Sequence, residues 1–190
     1  MLSLSSTKCE GSLNSALKEE SLKNWRYSVY HGRWSRTRFV DILFRMETDY
    51  RDSWFTAVSA CRNILKLRPN LVLEGEVNIG KHSGIQEHFE INGLAAIRWN
   101  RFPWDDMVDI SVAYGIGPSY AFGTPVIEER RRQPKPGRFL LYMMFEAEGR
   151  LAFFPEVSAF LRIHHRSGVF GVIRERQGSN IICIGIRGRI

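Results

Sequence analysis

The sequence lacks any long apolar run. Hydrophobic residues make up 44% of its 190 residues, yet no stretch approaches the roughly 20 consecutive apolar residues that a membrane-spanning helix needs. This excludes a helical membrane protein. The 12% aromatic content is too high for a disordered chain, and the length suits one domain rather than two. We therefore expect a single folded unit with an extensive apolar surface.

Cysteine is scarce as well. Cys9, Cys61 and Cys183 are widely spaced, and their spacing matches neither a disulfide framework nor a zinc or redox motif. We interpret these cysteines as incidental, and we expect no cofactor. Internal repeats and low-complexity tracts are also lacking, which excludes a solenoid.

The charge is unbalanced, and the first residues are polar. A formal net charge of +7 suits nucleic acid, an anionic membrane surface or a phosphorylated ligand. Residues 1–23 are expected to be poorly ordered or to form a short helix. They contain no apolar run long enough for the core of a signal peptide. Either the precursor begins further upstream, or the chain is not exported.

From Trp25 onward, β-branched and aromatic segments alternate with turn signals, which predicts an all-β domain over residues 24–190. Each segment is near the length of a tilted membrane-crossing strand, about 9–11 residues. The segment 38–44 also looks strand-like, as a possible ninth, and we interpret it as part of a long first loop. The predicted strands are 24–35, 52–66, 70–81, 89–101, 108–121, 139–150, 157–170 and 179–190.

The connections are predicted to alternate in length. Those near Asn70, Pro103 and Pro155 are short, whereas 36–51, 82–88 and 122–138 are longer. Outer-membrane barrels have short periplasmic turns and longer external loops. With both termini in the periplasm, the hairpin 171–178 lies outside the cell, near the outer leaflet. The pattern favours an eight-stranded antiparallel transmembrane β-barrel.

Side chains alternate between apolar and charged along the predicted strands. We expect the apolar set to face lipid and the opposite charges of neighbouring strands to pair in a filled lumen. The alternative is a soluble sandwich with the apolar face as its core. Aromatic residues near the segment ends are typical of interfacial girdles: Trp25, Trp34, Trp54, Trp99, Trp104 and Tyr120. The clearest alternation sets Ile182, Ile184, Ile186 and Ile190 against Cys183, Gly185, Arg187 and Arg189.

One cluster carries chemistry. His165 and Ser167 are polar residues on the apolar face of the predicted strand 157–170, two positions apart. There the imidazole can take the hydroxyl proton, as a serine nucleophile requires. Asn180 has the parity of Ile182 and follows the hairpin beside Ser167, so its amide oxygen is a candidate to orient His165. Glu175 is the alternative acid.

At these residues, RIHHRSGVFG with GSNIICIGIR, the sequence resembles the lipid A 3-O-deacylase (PagL-type) family over most of 24–190. The resemblance implies an eight-stranded outer-membrane barrel that removes an ester-linked acyl chain from lipid A without a metal. It implies Ser167 as nucleophile and His165 as base. The family has a glutamate where this chain has Ser179 and Asn180. It also has an asparagine where this chain has Gly168, so the oxyanion hole is expected to use backbone N–H groups near Gly168.

The site is also similar to that of the outer-membrane phospholipase A family, which uses a larger barrel and calcium. Our leading hypothesis is a lipid A deacylase of the bacterial outer membrane that binds lipopolysaccharide and outer-membrane lipid. A homodimer is one oligomeric state that we consider. The alternatives are a non-enzymatic barrel of the same fold and a phospholipase acting on other outer-leaflet lipids. A nucleic-acid-binding protein is disfavoured because the basic and aromatic residues are not interleaved. The candidate phosphate contacts are Arg130, Arg131, Arg132 and Lys135.

Overall fold

The computed structural model describes residues 25–104, 109–126, 137–151, 154–168 and 178–189. Within these ranges eight antiparallel strands close into a barrel, because the last strand pairs with the first. The predicted all-β, eight-stranded barrel is confirmed, and the sandwich is wrong. The strands are β1 (Trp25–Ser35), β2 (Tyr50–Arg68), β3 (Leu71–Gly84), β4 (His88–Trp99), β5 (Ile110–Ala121), β6 (Phe139–Leu151), β7 (Phe154–Ser167) and β8 (Gly178–Arg189).

The predicted alternation of loop lengths is only partly correct. The connection 82–88 was expected to be long, but β3 and β4 stay paired as far as His82 and His88, so that only 85–87 remain between the strands. The connection near Pro103 was expected to be short, yet β4 ends at Trp99 and β5 begins at Ile110. Backbone pairing thus continues further than predicted between β3 and β4, and it ends earlier than predicted between β4 and β5. The turn residues alone did not indicate where either pairing stops.

The strand-like segment 38–44 forms a helix, α1 (Phe39–Arg45), within the first loop. Its first turn is closed by backbone N–H groups of Asp41 and Ile42, which donate to the carbonyl of Arg38. It ends at Met46, whose φ of 55° is left-handed. The loop prediction is confirmed and the strand alternative is wrong, since a short apolar run does not distinguish strand from helix. In the described part of the chain, no helix is long and apolar enough to cross a membrane.

The outer surface of the barrel is apolar. On β8, Ile184 and Ile186 are 64% and 55% exposed, whereas Cys183 and Arg187 are almost fully buried. This is the predicted division of faces. So large an exposed apolar surface is unfavourable in water and suits lipid. Other strands add outward-facing side chains of the same kind: Val29, Val58, Val77, Ile79, Ile91, Ile97, Val112, Ile116 and Leu161.

Of the six aromatic residues predicted for the girdle, one faces the lumen. Trp34 has inward parity and packs against a buried cluster that includes Tyr30 and Phe55. Its assignment to the girdle is therefore wrong, because the strand position rather than the residue type decides which side it faces. The remaining predicted members are exposed: Trp25, Trp54, Trp99, Trp104 and Tyr120.

The lumen is filled by ion pairs around Glu146. Its carboxylate accepts hydrogen bonds from Arg98 at 2.5 Å, from Arg162 at 2.6 and 2.8 Å, and from Arg187 at 2.7 and 3.0 Å. Glu76 accepts two more from Arg162, at 2.6 and 2.7 Å. Among the described residues, the charges of this layer balance as four arginines and four glutamates: Arg26, Arg98, Arg162, Arg187, Glu74, Glu76, Glu146 and Glu148.

This ion-pair layer joins distant strands. Arg162 of β7 reaches Glu76 of β3 across the lumen, and Arg98 of β4 reaches Glu146 of β6. A buried charge is tolerated only when it is paired and hydrogen-bonded. The charged parity therefore has to face inward, and a shift of one residue in any pairing would put these charges in lipid.

Glu146→Gln should destabilise the barrel strongly. It removes the negative charge that three guanidinium groups share, and breaking one partner of a buried pair costs about 3–5 kcal/mol. The measurement is urea unfolding of the refolded protein in lipid vesicles. Glu47→Gln, at an exposed loop position, is the matched control and should change little. If the free energy of unfolding falls no further in Glu146→Gln than in Glu47→Gln, the ion-pair layer does not stabilise the barrel.

Candidate active site

Strand β7 presents the two predicted chemical groups on the outer surface. His165 and Ser167 are half-buried, whereas the alternating Arg162, His164 and Arg166 are fully buried in the lumen. At a strand rise of about 3.3 Å per residue, the Cα atoms of His165 and Ser167 are roughly 7 Å apart. Both side chains leave the same face of one strand, so they are adjacent on the lipid side, as predicted.

Asn180 of β8 lies directly opposite His165 in the register of β7 and β8. Its amide oxygen Oδ1 is 2.6 Å from Nδ1 of the imidazole. The prediction that Asn180 adjoins His165 is correct. Asn180 is only 9% exposed, so its contact with His165 is sheltered even though Asn180 has the outward parity.

A backbone group of the first loop fixes the direction of the Asn180 amide. Its Nδ2 donates a hydrogen bond of 2.8 Å to the carbonyl oxygen of Thr37. A carbonyl oxygen can only accept, so Nδ2 must point to Thr37 and Oδ1 to His165. Because Oδ1 can also only accept, Nδ1 of His165 must carry the proton. The lone pair of the neutral ring is then on Nε2.

Helix α1 covers the other side of the imidazole. The rings of Phe39 and His165 have centroids 4.9 Å apart, and Phe39 also lies 5.2 Å from the ring of Phe145 on β6. The first loop therefore both shields His165 from solvent and orients Asn180. Sequence reasoning missed Thr37 and Phe39. Thr37 acts through its backbone carbonyl, so no pattern of side chains could have indicated it.

The surroundings of Ser167 are defined by its strand neighbours. It is paired with Leu141 on β6 and with Gly178 on β8. A Cβ atom at position 178 would lie 2.6 Å from the carbonyl oxygen of Arg166, so only glycine permits this close approach. Gly168, the predicted source of an oxyanion-hole N–H, is buried directly after β7. Its role stays a prediction.

The basic loop of the prediction, with Arg130, Arg131, Arg132 and Lys135, lies outside the described residues, as does Glu175. The structure shows other cations near the site. Arg36 and Arg38 flank Thr37 and are exposed. On β1, which pairs with β8, Arg33 lies over the ring of Trp54, 4.9 Å from its centroid, and pairs with Asp52 at 2.6 Å. None of these three arginines was predicted as a phosphate contact, because they are separated along the sequence, whereas Arg130, Arg131 and Arg132 are consecutive.

These features define a transmembrane β-barrel with the fold of bacterial outer-membrane proteins. A crystal structure of the outer membrane enzyme PagL matches with a TM-score of 0.61 and 11% identity, over 87% of this chain and 99% of that chain. The N-terminal β-barrel domain of OprF from Pseudomonas aeruginosa matches with a TM-score of 0.50 and 8% identity, over 88% and 97%. No family model and no curated protein matches the sequence. At these identities the likeness concerns the fold.

Asn180→Asp should release the first loop. A carboxylate cannot donate to the carbonyl of Thr37, so two acceptors would face each other where a 2.8 Å hydrogen bond now stands. We expect the free energy of opening this loop to fall by about 1–3 kcal/mol. Amide hydrogen exchange at residues 37–45 should therefore be faster by roughly five- to a hundredfold.

Hydrogen exchange measured by mass spectrometry tests this. Asn63→Asp is the matched control, because Oδ1 of Asn63 already accepts from Arg26 at 3.1 Å and a carboxylate can do the same. Unchanged protection of residues 37–45 in Asn180→Asp would mean that Asn180 does not hold the loop.

Proposed function

We propose that this protein is a carboxylic ester hydrolase of the bacterial outer membrane that removes an ester-linked acyl chain from lipid A of lipopolysaccharide. The observation that carries the proposal is the chain of contacts from the Thr37 carbonyl through Asn180 to Nδ1 of His165. It leaves the lone pair on Nε2 of a histidine that shares the lipid-facing surface with Ser167, two residues further along the strand. Such an arrangement is what an activated serine nucleophile requires.

The mechanism follows from these atoms. Nε2 of His165 takes the proton of Ser167 as Oγ attacks the ester carbonyl, and the resulting imidazolium returns this proton to the leaving alkoxide. Water, activated by the same nitrogen, then hydrolyses the acyl-serine. Asn180 keeps the ring in place through both steps. Backbone N–H groups near Gly168 are the candidate donors to the oxyanion.

The position of the site supports a membrane lipid as substrate. His165 and Ser167 share their face with Leu161 and Ile163, so an acyl chain in the bilayer can reach them without crossing the barrel wall. Arg33, Arg36 and Arg38 are cations of the kind that bind phosphate by charge-assisted hydrogen bonds. They support a phosphorylated lipid, and the structural likeness to an outer membrane enzyme is consistent with this.

A neutral third residue sets the expected strength of catalysis. Asn180 orients His165 but gives the imidazolium less stabilisation than a carboxylate would. This same observation favours the second candidate function, a non-enzymatic barrel that keeps the scaffold. A phospholipase acting on other outer-leaflet lipids would use the same atoms.

Ser167→Ala should abolish acyl release while leaving the barrel folded. Loss of a serine nucleophile lowers turnover by at least about a thousandfold. The measurement is mass spectrometry of lipid A from a Gram-negative host that expresses the chain behind a working signal peptide. The expected result is loss of one acyl group with the intact serine and none with the variant.

Thr56→Ala is the matched control. Thr56 is an outward-facing hydroxyl residue whose Oγ1 lies 2.8 Å from Nδ1 of His31, a histidine–hydroxyl pair away from Asn180. It should retain full activity. Equal activity of Ser167→Ala and the unmodified chain would refute the nucleophile. No change in lipid A with either chain, when both are inserted in the outer membrane, would favour the non-enzymatic barrel, and release of acyl chains from phospholipid alone would favour the phospholipase.

A further inference from the structure

A second polar cluster fills the lumen next to the short 85–87 connection. His82 and His88 face each other across β3 and β4, and Glu90 lies two residues further along β4. All three side chains point inward and are buried. One ligand atom from each lies within 4.8 Å of the other two. Two imidazoles and a carboxylate are ligands that zinc commonly takes in proteins.

His88 has no hydrogen-bond partner within the described residues. The residue is only 6% exposed, and both of its ring nitrogens are buried without a hydrogen bond. Its ring is stacked on that of His82, with centroids 4.3 Å apart and an interplanar angle of 20°. A buried polar group without a partner costs about 1–3 kcal/mol. A bound cation would supply the partner that this imidazole lacks.

The neighbouring side chains are arranged as an outer shell. His164 and Asn92 donate to Oε1 of Glu90, at 2.8 and 2.9 Å, which leaves Oε2 directed toward His82 at 3.0 Å. The amide of Gln86 is 2.9 Å from Nδ1 of His82, and Oε1 of Gln86 is among the buried atoms without a partner. If the side-chain amide of Gln86 is rotated by 180°, its Oε1 accepts a hydrogen bond from Nδ1–H of His82. A histidine that binds a metal through Nε2 needs such an acceptor.

The guanidinium group of Arg166 opposes a cation at this site. Nε of Arg166 lies 3.3 Å from Oε2 of Glu90 and competes for that oxygen. However, the same guanidinium also donates to Oγ of Ser119 at 2.7 Å and to the carbonyl of Arg138 at 3.0 Å. It therefore has partners that would keep it in place when a metal takes Oε2. Its charge should weaken binding rather than prevent it.

We propose that His82, His88 and Glu90 bind one divalent transition-metal ion of the zinc type, with the fourth position open to solvent or an exogenous ligand. The site does not depend on the proposed hydrolase activity. Binding would link β3 with β4 and, through His164 on Glu90, with β7. Because His164 precedes His165 in the chain, the ion would also stiffen the strand that carries the candidate catalytic pair.

The experiment uses the full chain refolded in detergent and freed of metal. Zn²⁺ is the probe, followed by calorimetry and by elemental analysis after dialysis, and Co²⁺ gives a visible spectrum that reports four-coordinate geometry. We expect one ion per chain and a higher Tm with Zn²⁺. His88→Phe, which keeps a ring to stack on His82, should weaken binding by roughly a hundredfold or more.

His31→Phe is the matched control, since His31 is on the outer surface, paired with Thr56, and it should bind Zn²⁺ as the unmodified chain does. Absence of stoichiometric Zn²⁺, or undiminished binding by His88→Phe, would overturn the site. Near-ultraviolet circular dichroism before metal is added ensures that a failed variant is still folded.

Arg166→Gln tests the ligand role of Glu90 in the opposite direction. Removing the competing guanidinium should tighten Zn²⁺ binding by roughly tenfold, because Oε2 of Glu90 then carries an uncompensated charge. Calorimetry on the same preparation measures the change. Unchanged or weaker affinity, with the barrel folded, would show that Glu90 is not a ligand.

Discussion

Closure of the sheet between β1 and β8 is the constraint on which the rest of the structure depends. In lipid, every backbone N–H and C=O group needs a partner, so a sheet can cross only when it has no free edge. The closing pair runs from Arg26 and Arg189 to Ser35 and Asn180. The two strands approach so closely that a Cβ atom on Gly32 would lie 2.6 Å from the carbonyl oxygen of Ile182. At this point of the seam the register of β1 and β8 therefore requires a glycine.

The seam also assembles the candidate site. Pairing of Ser35 with Asn180 places the first residues of the following loop, including Thr37, beside Asn180, while the pairing of β7 with β8 places His165 on its other side. Asn180 thus lies between a loop carbonyl and an imidazole because of two registers, both set by the backbone. The lumen enforces them, since slippage by one residue would turn Arg162 and Arg187 toward lipid and the outer-face residues toward the ion-pair layer.

Much of this was predictable because it depends on parity. The period of two separates Ile184 and Ile186 from Cys183 and Arg187, and it puts His165, Ser167 and Asn180 on one face without any knowledge of the fold. What was not predictable depends on which residues face each other across strands or loops. Phe39 reaches His165 through a helix in a loop, and Trp34 turns inward although it is a tryptophan near a strand end. His82, His88 and Glu90 are close only because β3 and β4 pair past the point where the sequence suggested a loop.

The geometry explains why the third position of the site is occupied by an amide. A carboxylate at position 180 would hold the imidazolium more strongly, but it would also place a charge at a sheltered outer surface and oppose the carbonyl of Thr37. An amide satisfies both neighbours at once, because it accepts from His165 and donates to Thr37. The first loop, its helix and the tautomer of His165 are thereby tied to a single side chain. Asn180 is in this sense a compromise between the stabilisation that a carboxylate would give the imidazolium and the integrity of the loop that shelters it.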